Sequence, residues 1–78
     1  MALYKYGDHL IRSDDAAFDQ IQEPGAQAPH AGIYRCVACG LEIGIAQYHT
    51  LPPQDHHQHQ VGLGRIRWQL LVYAQHKQ

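Results

Sequence analysis

The sequence predicts a mainly β protein, built as one small antiparallel sheet with at most one short helical turn near the N-terminus. Seven glycines and four prolines in 78 residues place turns at short intervals, a composition that favours short strands over long helices. Within residues 65–73, apolar side chains recur at every second position from Ile66 to Val72, which is the period of a half-buried strand. A chain of this length forms one domain, so residues 1–78 are expected to share a single core.

The N-terminal third carries the weakest signals. Residues 3–11 are compatible with a short strand or an extended arm. In residues 13–21, Ser13 could cap a short helical turn whose apolar face holds Ala17, Phe18 and Ile21. The alternative is a strand over residues 18–22 that ends before the Pro24-Gly25 turn. We expect the helical turn.

The middle of the chain predicts a β-hairpin. Residues 33–36 have the β-branched and aromatic content of a strand, and residues 41–45 alternate as its returning partner. Residues 48–53 are expected to form a loop, because Pro52 and Pro53 fit neither a helix nor a central strand. The hairpin would therefore carry residues 36–40 at its tip.

The last strand is the clearest element. Arg65, Arg67 and Gln69 would lie on its solvent face. Together with Arg35, the two arginines could form a small basic face, but we expect a solvated strand face instead. The opposite face should be buried, with the single tryptophan as the main core residue. This buried face is predicted to hold Ile66, Trp68, Leu70 and Val72.

The hairpin tip carries the strongest chemical signal. Cys36 and Cys39 are the only cysteines, separated by two residues and followed by Gly40. This spacing lets two thiolates face one metal ion, and zinc prefers four nitrogen or sulfur ligands in a tetrahedron. Gly40 is expected to adopt positive φ where the backbone curls back. The sequence therefore predicts a structural Zn²⁺ site on Cys36 and Cys39.

Histidines downstream would complete the metal shell. His56 and His59 repeat the two-residue spacing of the cysteines, and this pair ranks first. If the segment is extended instead, His57 and His59 share one side of it, so His57 is the alternate ligand. His49 is a weaker candidate. The remaining histidines are expected to be exposed or hydrogen-bonded, namely His9, His30 and His76.

Residues 32–40, followed by Leu51-Pro52-Pro53, resemble the rubredoxin-like zinc-ribbon domains, whose pattern is Tyr-x-Cys-x-x-Cys-Gly and later Leu-Pro-Pro-Cys-x-x-Cys. This resemblance implies a zinc-ribbon-like sheet. The chain departs from the pattern at the second cysteine pair, where it has Gln54 and His57. In that register His57 inherits a ligand position and Gln54 cannot. Over most of its length the chain also resembles small proteins called protein L in pseudomonads, which implies the same fold and no particular activity.

Charge and size narrow the function classes. Six basic against seven acidic residues give a net charge of −1, which does not favour nucleic-acid binding. No apolar run is long enough to span a bilayer and no secretory signal is visible, so a cytoplasmic location is expected. A small chain with enough ligands to close a zinc site indicates a non-enzymatic module that binds a protein partner. The alternative is a thiol redox or metal-handling protein that uses Cys36 and Cys39.

Overall fold

The computed structural model describes residues 1–53 and 64–75. It contains a four-stranded, wholly antiparallel sheet in the order β1-β4-β2-β3. The strands are β1 (Ile21–Gln22), β2 (Gly32–Cys36), β3 (Glu42–Ile45) and β4 (Trp68–Tyr73). The described residues contain no α-helix, only single 3-10 turns at Gly7–His9 and Ala16–Asp19. The predicted fold class is confirmed.

Strands β2 and β3 form the predicted hairpin. Gly32 pairs with Ile45 at the open end, and Arg35 pairs with Glu42 next to the tip. Gly32 is required at its position, because a Cβ atom there would collide with the backbone oxygen of Val72 on the neighbouring strand. The close approach of β2 and β4 therefore depends on a residue without a side chain.

Strand β4, the last in sequence, lies between β1 and β2. Trp68 and Leu70 are buried as predicted, and Ile66 is buried just before the strand begins. Val72 is only half-buried, so its predicted place in the core is wrong. The reason is a register shift: Tyr34 pairs with Leu70 but Ile33 pairs with Val72, which leaves Leu71 as an extra residue. Such a bulge ends the simple alternation of faces along the strand.

The predicted helical turn in residues 13–21 is confirmed as the 3-10 helix Ala16–Asp19, which is followed directly by β1. Its predicted cap is wrong. The Asp15 carboxylate, and not Ser13, accepts a hydrogen bond from the backbone N–H of Ala17 at 2.9 Å. Ile21 belongs to β1 and is 43% exposed, so it does not share the apolar face of the turn.

A second, smaller pairing packs residues 25–28 against residues 48–51. The backbone N–H of Leu51 donates to the carbonyl of Ala26 at 2.8 Å, and the N–H of Ala28 donates to the carbonyl of His49 at 2.8 Å. Gln27 and Thr50 form an antiparallel bridge. This pairing buries Leu51 completely in the core.

The core lies on one face of the sheet, where side chains of the strands meet Ala17 of the 3-10 turn and Leu51 of the smaller pairing. Its largest fully buried side chains are Trp68, Tyr34 and Leu51. The Tyr34 hydroxyl donates to the carbonyl of His30 at 2.8 Å, and the Trp68 indole N–H donates to the carbonyl of Pro52 at 3.2 Å. Both aromatic residues therefore bury their rings and satisfy their polar atoms.

Candidate metal centre

The two cysteines lie in one tight turn at the tip of the β2–β3 hairpin. Cys36 is the last residue of β2 and is fully buried, whereas Cys39 is exposed. The N–H of Cys36 donates to the carbonyl of Leu41 at 2.7 Å, and the N–H of Gly40 donates to the carbonyl of Cys36 at 2.8 Å. These two bonds close residues 36–41 into a loop that keeps both sulfurs at the same end of the sheet.

Gly40 makes this turn possible, as the sequence predicted. Its φ is +84°, a conformation that residues with a Cβ rarely adopt. A Cβ at this position would also lie 3.2 Å from an Nη atom of Arg35. The Arg35 guanidinium therefore lies across the back of the turn.

The turn is tied to the segments on both sides of residues 54–63. Cys36 pairs with Trp68 across β2 and β4, and the N–H of Val37 donates to the carbonyl of Arg67 at 2.8 Å. On the other side, the carbonyl of Pro52 accepts the Trp68 indole N–H. The residues that precede and follow the 54–63 segment are therefore both held near the β2–β4 pair that carries Cys36.

The predicted histidine ligands His56, His57 and His59 lie outside the described residues. Within residues 1–53 and 64–75, no group of three histidine, cysteine, aspartate or glutamate residues could hold a metal ion. The structure thus brings Cys36 and Cys39 into one turn and describes none of their proposed partners.

The described histidines occupy other places. His49 and His9 are exposed, and His9 lies 5.8 Å from the ring of Tyr6, measured between ring centroids. The half-buried ring of His30 packs on Tyr73 with centroids 4.5 Å apart. His76 lies outside the described residues.

The basic residues near the turn, Arg35, Arg65 and Arg67, are all exposed. Arg65 makes an ion pair with Glu23 at 2.8 Å, and both side chains are largely exposed. Arg35 and Arg67 point to solvent on the face opposite the core. This placement is that of a solvated strand face.

Tyr34 is a described group whose pKa is raised in the folded chain. Burial raises the pKa of its hydroxyl above the usual 10.0, and the hydrogen bond that the hydroxyl oxygen accepts from the His30 backbone N–H at 3.3 Å opposes this shift only in part. Tyr34 therefore stays protonated beside Cys36 and serves as a core hydrogen-bond donor.

Sequence reasoning missed two features that position the site. One is the pairing of residues 25–28 with residues 48–51, which brings Leu51-Pro52-Pro53 to Trp68. The other is the bulge at Leu71. Neither carries a local signal, because both depend on which distant segments meet.

No helix among the described residues combines the length and apolar character needed to cross a membrane.

Comparison with known proteins gives one informative match. A protein of Escherichia coli named Protein L is 44% identical over 62 residues, which cover 80% of this chain and 70% of that protein. No protein-family model matches the chain, and no solved structure matches it. The expected likeness to proteins of this name is confirmed, whereas the pseudomonad source finds no support. The rubredoxin-like likeness rests on the residues alone.

Proposed function

We propose a function for this chain, which belongs to the family of the Escherichia coli protein named Protein L. We infer that it is a non-enzymatic, cytoplasmic module, stabilised by one structural Zn²⁺ and acting by binding a protein partner. The metal is held by Cys36, Cys39, His56 and His59, with His57 as the alternate to His56. The family name itself names no ligand or reaction.

The observation that carries this proposal is the turn at residues 36–41. It holds two sulfurs on one short, hydrogen-bonded loop with glycine at positive φ. A thiolate pair at this spacing is the usual starting element of a structural zinc site. Gly40 followed later by Leu51-Pro52-Pro53 supports the rubredoxin-like register proposed for the chain.

Chain length supports the histidine assignment. His56 lies three residues after Pro53 and His59 five residues before Gly64. An extended chain covers about 3.3 Å per residue, so roughly 10 Å of chain is available to His56 and roughly 16 Å to His59. Paired residues on antiparallel strands lie about 5 Å apart, so Cys36 lies next to the backbone of its partner Trp68. The residues on both sides of the 54–63 segment are held near this tryptophan. Both chain lengths exceed this roughly 5 Å spacing between paired strands.

The small core explains why a metal would be needed. Eight side chains make up the buried set in the described residues, and two of them are alanine. A core of this size supplies only about 3–5 kcal/mol. Structural zinc contributes on the order of 10 kcal/mol when its site forms only in the folded chain.

Metal analysis of the purified chain tests the proposal. We expect one zinc per chain, and loss of this zinc in Cys36→Ser, Cys39→Ser and His59→Ala. His49→Ala is the matched control, because His49 is exposed and its backbone pairing does not use the side chain. His56→Ala and His57→Ala should differ from each other, since only one is a ligand. Small and equal losses for all clustered histidines would contradict the proposal.

A second candidate function is thiol redox or metal handling by the same two cysteines. The observation that favours it is the asymmetry of the pair: Cys39 is exposed and Cys36 is buried in the same turn, and an accessible sulfur is the one that reacts with external reagents. Titration with a thiol reagent separates the two functions. A structural zinc protects both sulfurs until a chelator is added, whereas a redox pair reacts at Cys39 without it.

A further inference from the structure

The first twelve residues form an arm whose apolar side chains are unburied. Every residue from 1 to 12 is exposed. The 3-10 turn Gly7–His9 within this arm packs against no other strand or helix of the described structure. The large apolar residues of the arm, with exposures between 48% and 106%, are Met1, Leu3, Tyr4, Tyr6, Leu10 and Ile11.

The arm nevertheless has local structure. Tyr4 lies 3.3 Å from the place where a Cβ on Gly7 would be, and Tyr6 packs near His9 with ring centroids 5.8 Å apart. The backbone N–H of His9 donates to Tyr6 and that of Leu10 donates to Gly7, at 3.1 and 3.0 Å. The arm carries six large exposed apolar side chains within twelve residues, whereas an ordinary monomer exposes such residues singly over its surface. Clusters of exposed apolar side chains mark interaction sites.

The second feature is the outer edge of β3. Because the N–H of Cys36 donates to Leu41, the ladder alternates so that Ile43 and Ile45 face β2. The backbone groups of Glu42 and Gly44 then point away from the sheet. Among the described residues no strand pairs with this edge, and nothing lies within 4 Å of a Cβ built on Gly44. An open edge of this kind accepts an added strand.

The two features meet at one point. The backbone nitrogen of Met1 lies 3.4 Å from a carboxylate oxygen of Glu42, whose side chain is only 19% exposed. The arm thus reaches the edge of β3 but makes no ladder with it. An arm from another copy could keep this contact, add backbone bonds along Glu42 and Gly44, and bury its apolar side chains.

We propose that the arm of residues 1–12 pairs with the outer edge of β3 in a second copy of this chain, so that two copies exchange arms in a symmetric dimer. The partner is a second copy because one chain contains both the unburied apolar segment and the open edge that would receive it. A two-fold arrangement makes each contact twice. This inference names the partner in the proposed binding function, and it does not depend on the metal.

Light scattering after size-exclusion chromatography of the purified full chain tests the proposal. Over a concentration series, the mass should rise from 8.8 kDa to twice that value. Ile11→Asp and Leu3→Asp should each weaken the dimer by at least roughly tenfold, because each removes a buried apolar side chain from both arms. Gly44→Pro should do the same by removing an edge N–H, and proline is tolerated on edge strands. Tyr48→Asn is the matched control, since Tyr48 is 65% exposed, lies outside both features and has a φ of 68° that Asn accepts.

Hydrogen exchange at single amides makes the test specific. The N–H groups of Glu42 and Gly44 should become protected as concentration rises, and Ile11→Asp should abolish this protection. A mass of 8.8 kDa at all concentrations would overturn the proposal. So would protected amides in the monomer, which would mean that the edge is covered within one chain, or a dimer that is insensitive to the arm variants. The zinc content measured on the same samples reports the proposed function separately.

Discussion

The β2–β4 pair carries deeply buried side chains, whereas the N-terminal arm of the same small chain is exposed to solvent. Between β2 and β4, Cys36 and Trp68 are fully buried, and Tyr34 is 1% exposed. In the arm, Leu3 and Ile11 are 96% and 94% exposed. Both regions contain large apolar and aromatic residues, so hydrophobic composition does not separate them. The difference is whether another segment of the chain packs against the apolar side chains, because burial needs two surfaces.

Loss of the proposed zinc should produce the largest difference between the two regions. A chelator at neutral pH should remove on the order of 10 kcal/mol of stability and unfold the β2–β4 pair. Protons compete with zinc for thiolates and imidazoles, so acidification should release zinc and expose Trp68 together. The fluorescence of this single tryptophan and the released zinc can be followed in one titration. A Trp68 that stays buried after all zinc has left would show that the metal is accessory.

Truncation of one large side chain in each region should give the next largest contrast. Trp68→Ala should lower the free energy of unfolding by about 3–5 kcal/mol, because it leaves a cavity and frees the Pro52 carbonyl. Ile11→Ala, measured at a concentration where the chain is monomeric, should change it by less than about 0.5 kcal/mol. Urea denaturation measures both. Equal effects would mean that the arm contributes to the core after all.

Gly32 and Gly44 lie in neighbouring strands, and replacing each with alanine compares a position where the strands pack closely with one that is open. Gly32→Ala should cost roughly 2 kcal/mol or more, because the added Cβ meets the Val72 oxygen and β2 and β4 must move apart. Gly44→Ala meets nothing within 4 Å and should be neutral or slightly stabilising. Thermal unfolding of the two variants against wild type checks this prediction. A neutral Gly32→Ala would contradict the close approach of the two strands.

Removal of the Tyr34 hydroxyl should have the smallest effect, about 1 kcal/mol near neutral pH, because the His30 carbonyl loses its donor. The variant also predicts a pH dependence. Burial raises the folded pKa of Tyr34 above 10.0, so its contribution is fully present below the unfolded value and is lost as pH rises through the folded one. Wild type should therefore lose stability above pH 10 relative to Tyr34→Phe. Parallel alkaline denaturation curves would contradict the burial of this hydroxyl.

Some of this architecture could be predicted because the signal is local. The alternation that ends at Leu70 predicts a half-buried strand and marks Trp68 as its core residue. Gly40 after the two cysteines predicts a tight turn, since a backbone that curls back at that point needs positive φ. The prediction of Ser13 as the helix cap was wrong because Ser13 and Asp15 both offer a side-chain acceptor. The sequence does not decide which of the two lies nearer to the first N–H groups of the turn.

Local patterns in the sequence are enough to predict that this protein is β-rich, that its hairpin ends in a two-cysteine turn, and that its last strand buries one face. These properties follow from side-chain period and from the φ values that glycine permits, which act over a few residues. The folded chain alone shows that β4 lies between β1 and β2, that Leu71 forms a bulge, and that residues 48–51 pair with residues 25–28. Each of these depends on which distant backbone supplies the opposite hydrogen-bonding edge. That choice is made by the packing of the described segments into one core around Trp68.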